Sequence, residues 1–294
     1  MNKLFETENI LLIIRYIFVI GMTILSLYPI FWVLSLAFSG SQSLAITELP
    51  VDPSSWDRLR AIIPWPENFS LQNFIDVLTE QQFGRWLLNS AIVAGITTVF
   101  GVFLASTSAY AFSRFRFPGR GFGMMTFLVS QMFPGTLMLI PLYVIIVGWL
   151  NLENSYIGLV LVYSVTAIPF CVWMLKGYFD TIPKEIEESA IMDGASQAVI
   201  FWQIIVPLAK PAIAVTALFS FMAGWNEFIL ASIFMSEEQL YTAPVGLKFF
   251  VGEHSSMWGY FAAGSVIVSA PVVFLFLYLQ KYLISGLTSG GVKG

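Results

Sequence analysis

Six apolar stretches, near 12–38, 86–112, 122–148, 155–176, 211–234 and 259–284, constrain this chain more than any other feature. Each is long enough to cross a hydrocarbon core, which takes about 20 mostly apolar residues. Backbone inside lipid finds no water, so a spanning segment must satisfy its own N–H and C=O groups, and a run of this kind does so as an α-helix. The chain therefore reads as an all-α polytopic membrane protein with six transmembrane helices. Composition agrees: of 294 residues, 57% are hydrophobic and 11% charged, whereas a soluble domain carries about 25% charged residues. So few charges cannot solvate a globule of this size. Pro134 and Pro141 interrupt the third stretch, Pro169 the fourth and Pro271 the sixth. Proline is tolerated in a membrane helix where neighbours or waters satisfy the freed carbonyls. The first stretch follows a weakly positive start (Lys3, Arg15). It is longer than a signal-peptide core and lacks a small-residue cleavage pattern, so it reads as an uncleaved span.

Lysine and arginine set the orientation, because cytoplasmic loops hold the excess. With both termini inside, the inner side carries Lys3, Arg15, Arg114, Arg116, Arg120, Lys176, Lys184, Lys210, Lys281 and Lys293. The outer side carries only Arg58, Arg60, Arg85 and Lys248. The short loop RFRFPGR, from Arg114 to Arg120, is the sharpest marker. The resulting division is a cytoplasmic N-terminus with the first span (1–38), an outer loop (39–85), a five-helix core (86–285) and a cytoplasmic tail (286–294).

Within the core, 177–211 is the longest charged stretch between apolar segments on the cytoplasmic side. It reads as a helix, a break and a second helix. Pro183 suits a first turn, and Lys184 to Met192 are good helix formers with a surface of Glu185, Glu187 and Glu188. Asp193-Gly194 breaks this helix, with Gly194 suited to a left-handed residue after its end. Ser196 can cap the second helix, which Pro207 closes. Small residues (Ser189, Ala190, Gly194, Ala195) line the joint and let another surface approach the backbone. A short, rigid, charged elbow between spans is suited to docking on a partner.

This elbow resembles the EAA loop of permease subunits in binding-protein-dependent ABC importers. The family pattern is E-A-A, three further residues to Gly, nine residues, then I-x-L-P. Here stand Glu188-Ser189-Ala190, Asp193-Gly194-Ala195, then Ile204, Val206 and Pro207, with Ser189 and Val206 as the departures. GYFDTIP before the elbow, QMFP at Gln131 to Pro134, WNEF at Trp225 to Phe228 and the ending GLTSGGVKG also resemble carbohydrate-importer permeases of the maltose type. The resemblance, from about Trp86 onward, implies the MetI-like, type I importer fold in a bacterial or archaeal cytoplasmic membrane. It implies as partners a second (MalF-like) permease, two copies of a cytoplasmic ABC ATPase and an extracytoplasmic sugar-binding protein. ATP and Mg would be bound by the ATPase, leaving this chain without a cofactor. It further implies that Glu188, Ala190, Asp193 and Gly194 sit in the ATPase cleft. The tail Gly290, Gly291, Val292, Lys293 and Gly294 would reach between the ATPases. The outer loop Gly252, Glu253, His254, Ser255 and Ser256 would probe the binding protein. Maltose, maltodextrin or a related oligosaccharide is the implied cargo.

The rest of the sequence is consistent with a non-catalytic transport subunit. No G-x-x-x-x-G-K-[ST] occurs, so the chain has no P-loop of its own. One cysteine (Cys171) and one histidine (His254) leave no disulfide framework and no set of zinc ligands. A net charge of −4 gives no sign of nucleic-acid binding. A proton-coupled carrier buries several ionisable groups, and only Glu227 is a candidate. Gln131, Asn226 and Glu227 are candidate pathway residues. A stand-alone carrier or channel is the alternative, and it would transport without any ATPase. Ala105 and Ala109 have the spacing that favours close helix contact. In the long outer loop, Trp56 and Trp65 fit either the headgroup level or a docking surface.

Overall fold

The computed structural model describes residues 2–47, 49–66, 68–252 and 255–291. Thirteen helices and a short 3-10 turn at Glu238–Leu240 carry the described residues: α1 Asn2–Ala37, α2 Ser55–Ile62, α3 Gln72–Thr79, α4 Phe83–Arg114, α5 Arg120–Met132, α6 Gly135–Trp149, α7 Tyr156–Phe179, α8 Lys184–Met192, α9 Gln197–Leu208, α10 Lys210–Trp225, α11 Ile229–Phe234, α12 Ala243–Lys248 and α13 Trp258–Gly291. Among the described residues four helices are long and apolar enough to span a membrane unaided, and counting each of two bent pairs as one span brings the number to six. The pairs are α5 with α6, bent by 103°, and α9 with α10, bent by 78°.

The structure refines the sequence reading in three places. The third stretch is no single rod. Phe133 and Pro134 leave the helix in extended conformation, and α6 restarts as a 3-10 turn and ends in a π-helical stretch at Val144–Trp149. The fifth stretch stops at Trp225, nine residues early, because Asn226 to Phe228 break it before α11. The outer loop is partly helical, holding α2 and α3. By contrast Pro169 and Pro271 lie inside continuous helices.

The chain forms two compact units. The first joins residues 1–83 to 247–267. Asn73 knots it: buried at the start of α3, it donates to the carbonyls of Leu36 and Ala37 at 3.3 Å and accepts from the Gln42 amide at 2.7 Å. These bonds satisfy the open C-terminal carbonyls of α1, which a helix end cannot leave unpaired when buried. Asp76 accepts from the Tyr260 hydroxyl at 2.9 Å, fastening α13 to α3.

The second unit joins residues 84–246 to 268–294. In it α7 is the central post, packed against α5, α10 and α11. One apolar cluster, including Val93, Leu159, Tyr163, Phe234 and Met235, fills one end. Another, including Ala105, Ala109, Leu175, Phe179, Ile200 and Phe201, fills the other. Ala105 and Ala109 are both fully buried, in keeping with close helix contact at that spacing.

Candidate functional site: the elbow

The elbow starts at Pro183, which stands at the N-cap with extended backbone (ψ 132°) rather than in the first turn. Helix α8 follows. Its end is a Schellman motif: Gly194 N–H reaches the Ile191 carbonyl and Ala195 N–H the Ala190 carbonyl, both at 2.9 Å. This closure needs a left-handed residue, and Gly194 supplies it at φ 84°. Ser196 then caps α9, accepting from Val199 N–H at 3.4 Å. Six residues of α9, Ile200–Ile205, are wound as a π-helix. The wider turn leaves room for the ring of Pro207, which in an α-helix presses on the carbonyl four residues earlier. Pro207 does not close the helix; α9 runs to Leu208, and buried Ala209 is the single residue before α10.

One surprise is Glu187. Sequence reading placed it on the surface with Glu185 and Glu188, but it is buried. Its carboxylate pairs with the Arg114 guanidinium and accepts from the Tyr110 hydroxyl at 2.9 Å. Arg114 also donates to the Ile182 carbonyl at 3.0 Å and to Ser113 Oγ at 2.9 Å. Ser113 in turn donates to Asp180 at 2.6 Å, and Lys176 pairs with the other oxygen of that carboxylate. Burial works to raise the Asp180 pKa, but hydrogen bonds from Lys176 and Ser113 and the charges of Lys176 and Arg114 outweigh it. The carboxyl is held below its ordinary value. The last turn of α4 thus grips the elbow's first helix by a buried, hydrogen-bonded ion pair, and Ala190, Ala195, Ile204 and Val206 pack on the apolar cluster beneath. Tyr110 and Arg114, four apart on one face of α4, converge on this carboxylate, and no pattern local to the elbow marks it.

The opposite face is open. Glu188, Ser189, Asp193, Gly194 and Pro207 are exposed, and Met192 is 87% exposed. Glu185, Glu188, Ser189, Ile191 and Met192 line a shallow hollow of roughly 480 Å3 there. A side chain added at Gly194 would meet nothing within 4 Å. Acidic groups, bare backbone and an exposed Met–Ile pair thus sit on a fixed platform.

The other candidates lie apart from the elbow. Glu227 caps α11, its carboxylate accepting from the N–H groups of Leu230 at 2.9 Å and Ala231 at 3.0 Å. Asn226 is exposed beside it, and Gln131 donates to the Thr166 carbonyl at 3.1 Å. Gly252 and Ser255 pair in a two-stranded hairpin, as do Val251 and Ser256. Glu253 and His254 at its tip lie outside the described residues, as do Val292, Lys293 and Gly294, whereas Gly290 and Gly291 continue α13.

A set of apolar helices, two pairs of them bent, with a helical elbow anchored by a buried ion pair, defines a polytopic membrane subunit. Residues 97–289 match the family described as binding-protein-dependent transport system inner membrane component, and the chain belongs to that family. It is MalG-like. Over 283 residues it is 35% identical to the maltodextrin transport system permease protein MalD of Streptococcus pneumoniae, covering 96% of this chain and 95% of the relative. It is 33% identical to the maltose/maltodextrin permease MalG of Salmonella typhimurium, covering 98% of each. It is 35% identical to the galactooligosaccharide permease GanQ of Bacillus subtilis, covering 96% of each. Among solved structures, a bacterial ABC transporter for import of the acidic polysaccharide alginate contains a chain with the same fold (TM-score 0.78, 24% identity, 94% of this chain and 97% of that one). The protein is thus a sugar-type ABC importer permease of the membrane, with the importer fold that the elbow pattern implied.

Proposed function

We propose that this chain forms half of the translocation pathway of an ATP-driven oligosaccharide importer and receives its driving force through the elbow. The observation that carries the reading is the two-faced elbow: α8 is anchored by the buried Arg114–Glu187 pair, while Glu188, Ser189, Asp193 and Gly194 are presented outward. A rigid, uncovered platform suits a cytoplasmic ATPase. Two such ATPases, one on this elbow and one on that of a second permease, bind the ATP and Mg that the chain has no motif to hold. Their nucleotide-driven closure favours one pathway state over the other through differential contacts, as any coupling requires.

In this arrangement both termini are cytoplasmic and the tail 290–294 lies between the ATPases. An extracytoplasmic sugar-binding protein meets the hairpin at 252–256. Support for that last partner comes from a solved bacterial alginate ABC transporter in complex with a pentasaccharide-bound periplasmic protein (TM-score 0.60, 14% identity). Maltodextrin or a related oligosaccharide is the proposed cargo, since relatives at 33–35% identity carry maltodextrin and galactooligosaccharide names. Gln131 and Asn226 are the proposed pathway-facing polar groups. Glu227 shapes the same region by holding α11.

The test is affinity capture of the chain from its own membranes in mild detergent, comparing wild type with Gly194→Trp. Wild type should retain an ATPase and a second permease, and the variant should lose the ATPase while keeping the second permease. Capture of the chain alone, with ion-driven uptake by the purified protein, would replace this reading with a self-contained carrier.

A further inference from the structure

Helix α2 is an unusual element for an outer loop. Ser54 and Asp57 form a capping box that fixes its start, yet none of its residues is buried. At 100° per residue, Trp56, Leu59, Ile62 and Ile63 fall on one arc, with Arg58 and Arg60 at its two borders and Asp57 and Ala61 opposite. Every one of those four apolar side chains is more than half exposed, and Trp65 just beyond is 76% exposed.

The backbone that follows tells where this arc points. Ile63 N–H is bonded to the Arg60 carbonyl at 3.0 Å and Trp65 N–H to the Ile63 carbonyl at 2.8 Å. The Ile62 carbonyl accepts from the Tyr28 hydroxyl at 2.8 Å, and the Pro64 carbonyl accepts from Ser35. Pro64 and Pro66 have no N–H to satisfy. An exposed loop in water has no need of such closure, since water serves its carbonyls. Backbone that dips into lipid does need it. The donors sit on α1, a membrane span, with Tyr28 about 14 Å and Ser35 about 3 Å before the helix end at Ala37.

We propose that α2 and the Ile62–Pro66 strap form an interfacial membrane element. The helix lies flat on the outer leaflet with Trp56, Leu59, Ile62 and Ile63 among the upper acyl chains, and Arg58 extends to the phosphates. This is the layout of an amphipathic interfacial helix, with basic flanks and tryptophan at the boundary. The Tyr28 and Ser35 hydroxyls set how deep the strap sits. The lipid surface, rather than another protein, is the occupant because α1, which holds the strap, exposes apolar side chains along its length, and because the carbonyls bonded to Tyr28 and Ser35 place the strap at the depth of that span. The proposal is independent of which sugar, if any, is carried.

The test uses the chain with its co-purifying subunits in lipid nanodiscs, in a Cys171→Ala background. Single cysteines replace Leu59, Ile63 or Asp57 and carry an environment-sensitive fluorophore. Nitroxides are placed on the lipid near the headgroup or near the chain end, and iodide serves as the aqueous quencher. Labels at 59 and 63 should be quenched by the shallow nitroxide about threefold more than the label at 57, which iodide should reach instead. Two positions guard against a variant that fails to assemble. Iodide quenching at 59 and 63 without lipid quenching would overturn the proposal, placing α2 in water. Shielding of both positions from lipid and iodide would overturn it too, placing the arc against another protein.

Discussion

The two ends of α4 are held in different chemical currencies. At its Arg114 end the contacts are charged: Arg114 and Tyr110 both on the Glu187 carboxylate, and Ser113 on the Asp180 carboxylate that Lys176 also pairs with. At its Trp86 end they are neutral. Asn89 donates to the Gln239 and Tyr241 carbonyls at 2.9 Å each and accepts from Tyr156 at 2.7 Å, Trp86 donates to the Glu238 carbonyl at 2.8 Å, and Ser90 accepts from Ala243 N–H at 2.8 Å. Neutral bonds to backbone hold a fixed loop in place at modest net gain each. A buried ion pair adds little net stability but penalises strongly any state in which one partner is left behind. The difference ties the elbow to its span as one body at one end and holds a loop in place at the other.

Removing one charge from the elbow should therefore do the most harm. Glu187→Ala leaves Arg114 buried and unpaired, and should cost about 3–5 kcal/mol, read as a fall in thermal unfolding temperature in detergent and as new protease cleavage at Pro183–Asp193. If the loss is no larger than that of a surface glutamate such as Glu188→Ala, the charged end is not the anchor. Next comes the neutral end, where Gly246 packs so close to Trp86 that an added Cβ would lie 2.0 Å from the indole. Gly246→Ala should cost about 1–3 kcal/mol by overpacking, with no effect on ATPase capture. Gly194→Ala comes third: only the left-handed backbone resists it, about 1–2 kcal/mol. Its signature is a nearly intact fold with weakened ATPase retention.

The smallest effect is the most diagnostic of charge. Because the folded Asp180 carboxyl is held below its ordinary pKa, its contribution is present above about pH 4, the unfolded value, and is lost as pH falls through the folded pKa. The group is partly exposed, so the effect should stay under about 1 kcal/mol. Asp180→Asn should flatten that part of the stability–pH curve, while Asn89→Ser at the other end should leave its shape unchanged.

How much of this was legible beforehand depended on range. The elbow's break at Gly194 and its cap at Ser196 are local signals, set by what glycine and serine do at helix ends, and both stand where the spacing put them. Glu187 could not be read the same way. Three glutamates within four positions look alike, and what singles one out is Arg114, 73 residues earlier. The spans were legible in number but not in shape. Pro134 and the polar pair Asn226-Glu227 mark breaks in the apolar runs, but a window of mean hydropathy averages over them and carries no bend angle. Trp56 and Trp65 fit either the headgroup level or a docking surface when read alone, because the hydroxyls of Tyr28 and Ser35 that bind the strap lie in another segment.

The junction at Ala209 has a mechanical consequence. A single fully buried alanine separates two helices set 78° apart, with no loop between them. Arm α9 is about 18 Å long at 1.5 Å per residue, so turning it by about 5° about that corner carries its far end about 1.6 Å. With one buried residue at the corner, only the two backbone dihedrals of Ala209 lie between the turn of α9 and that of α10. The reach of that arm is set by the length of one helix, and the tightness of its corner by the smallness of one methyl group.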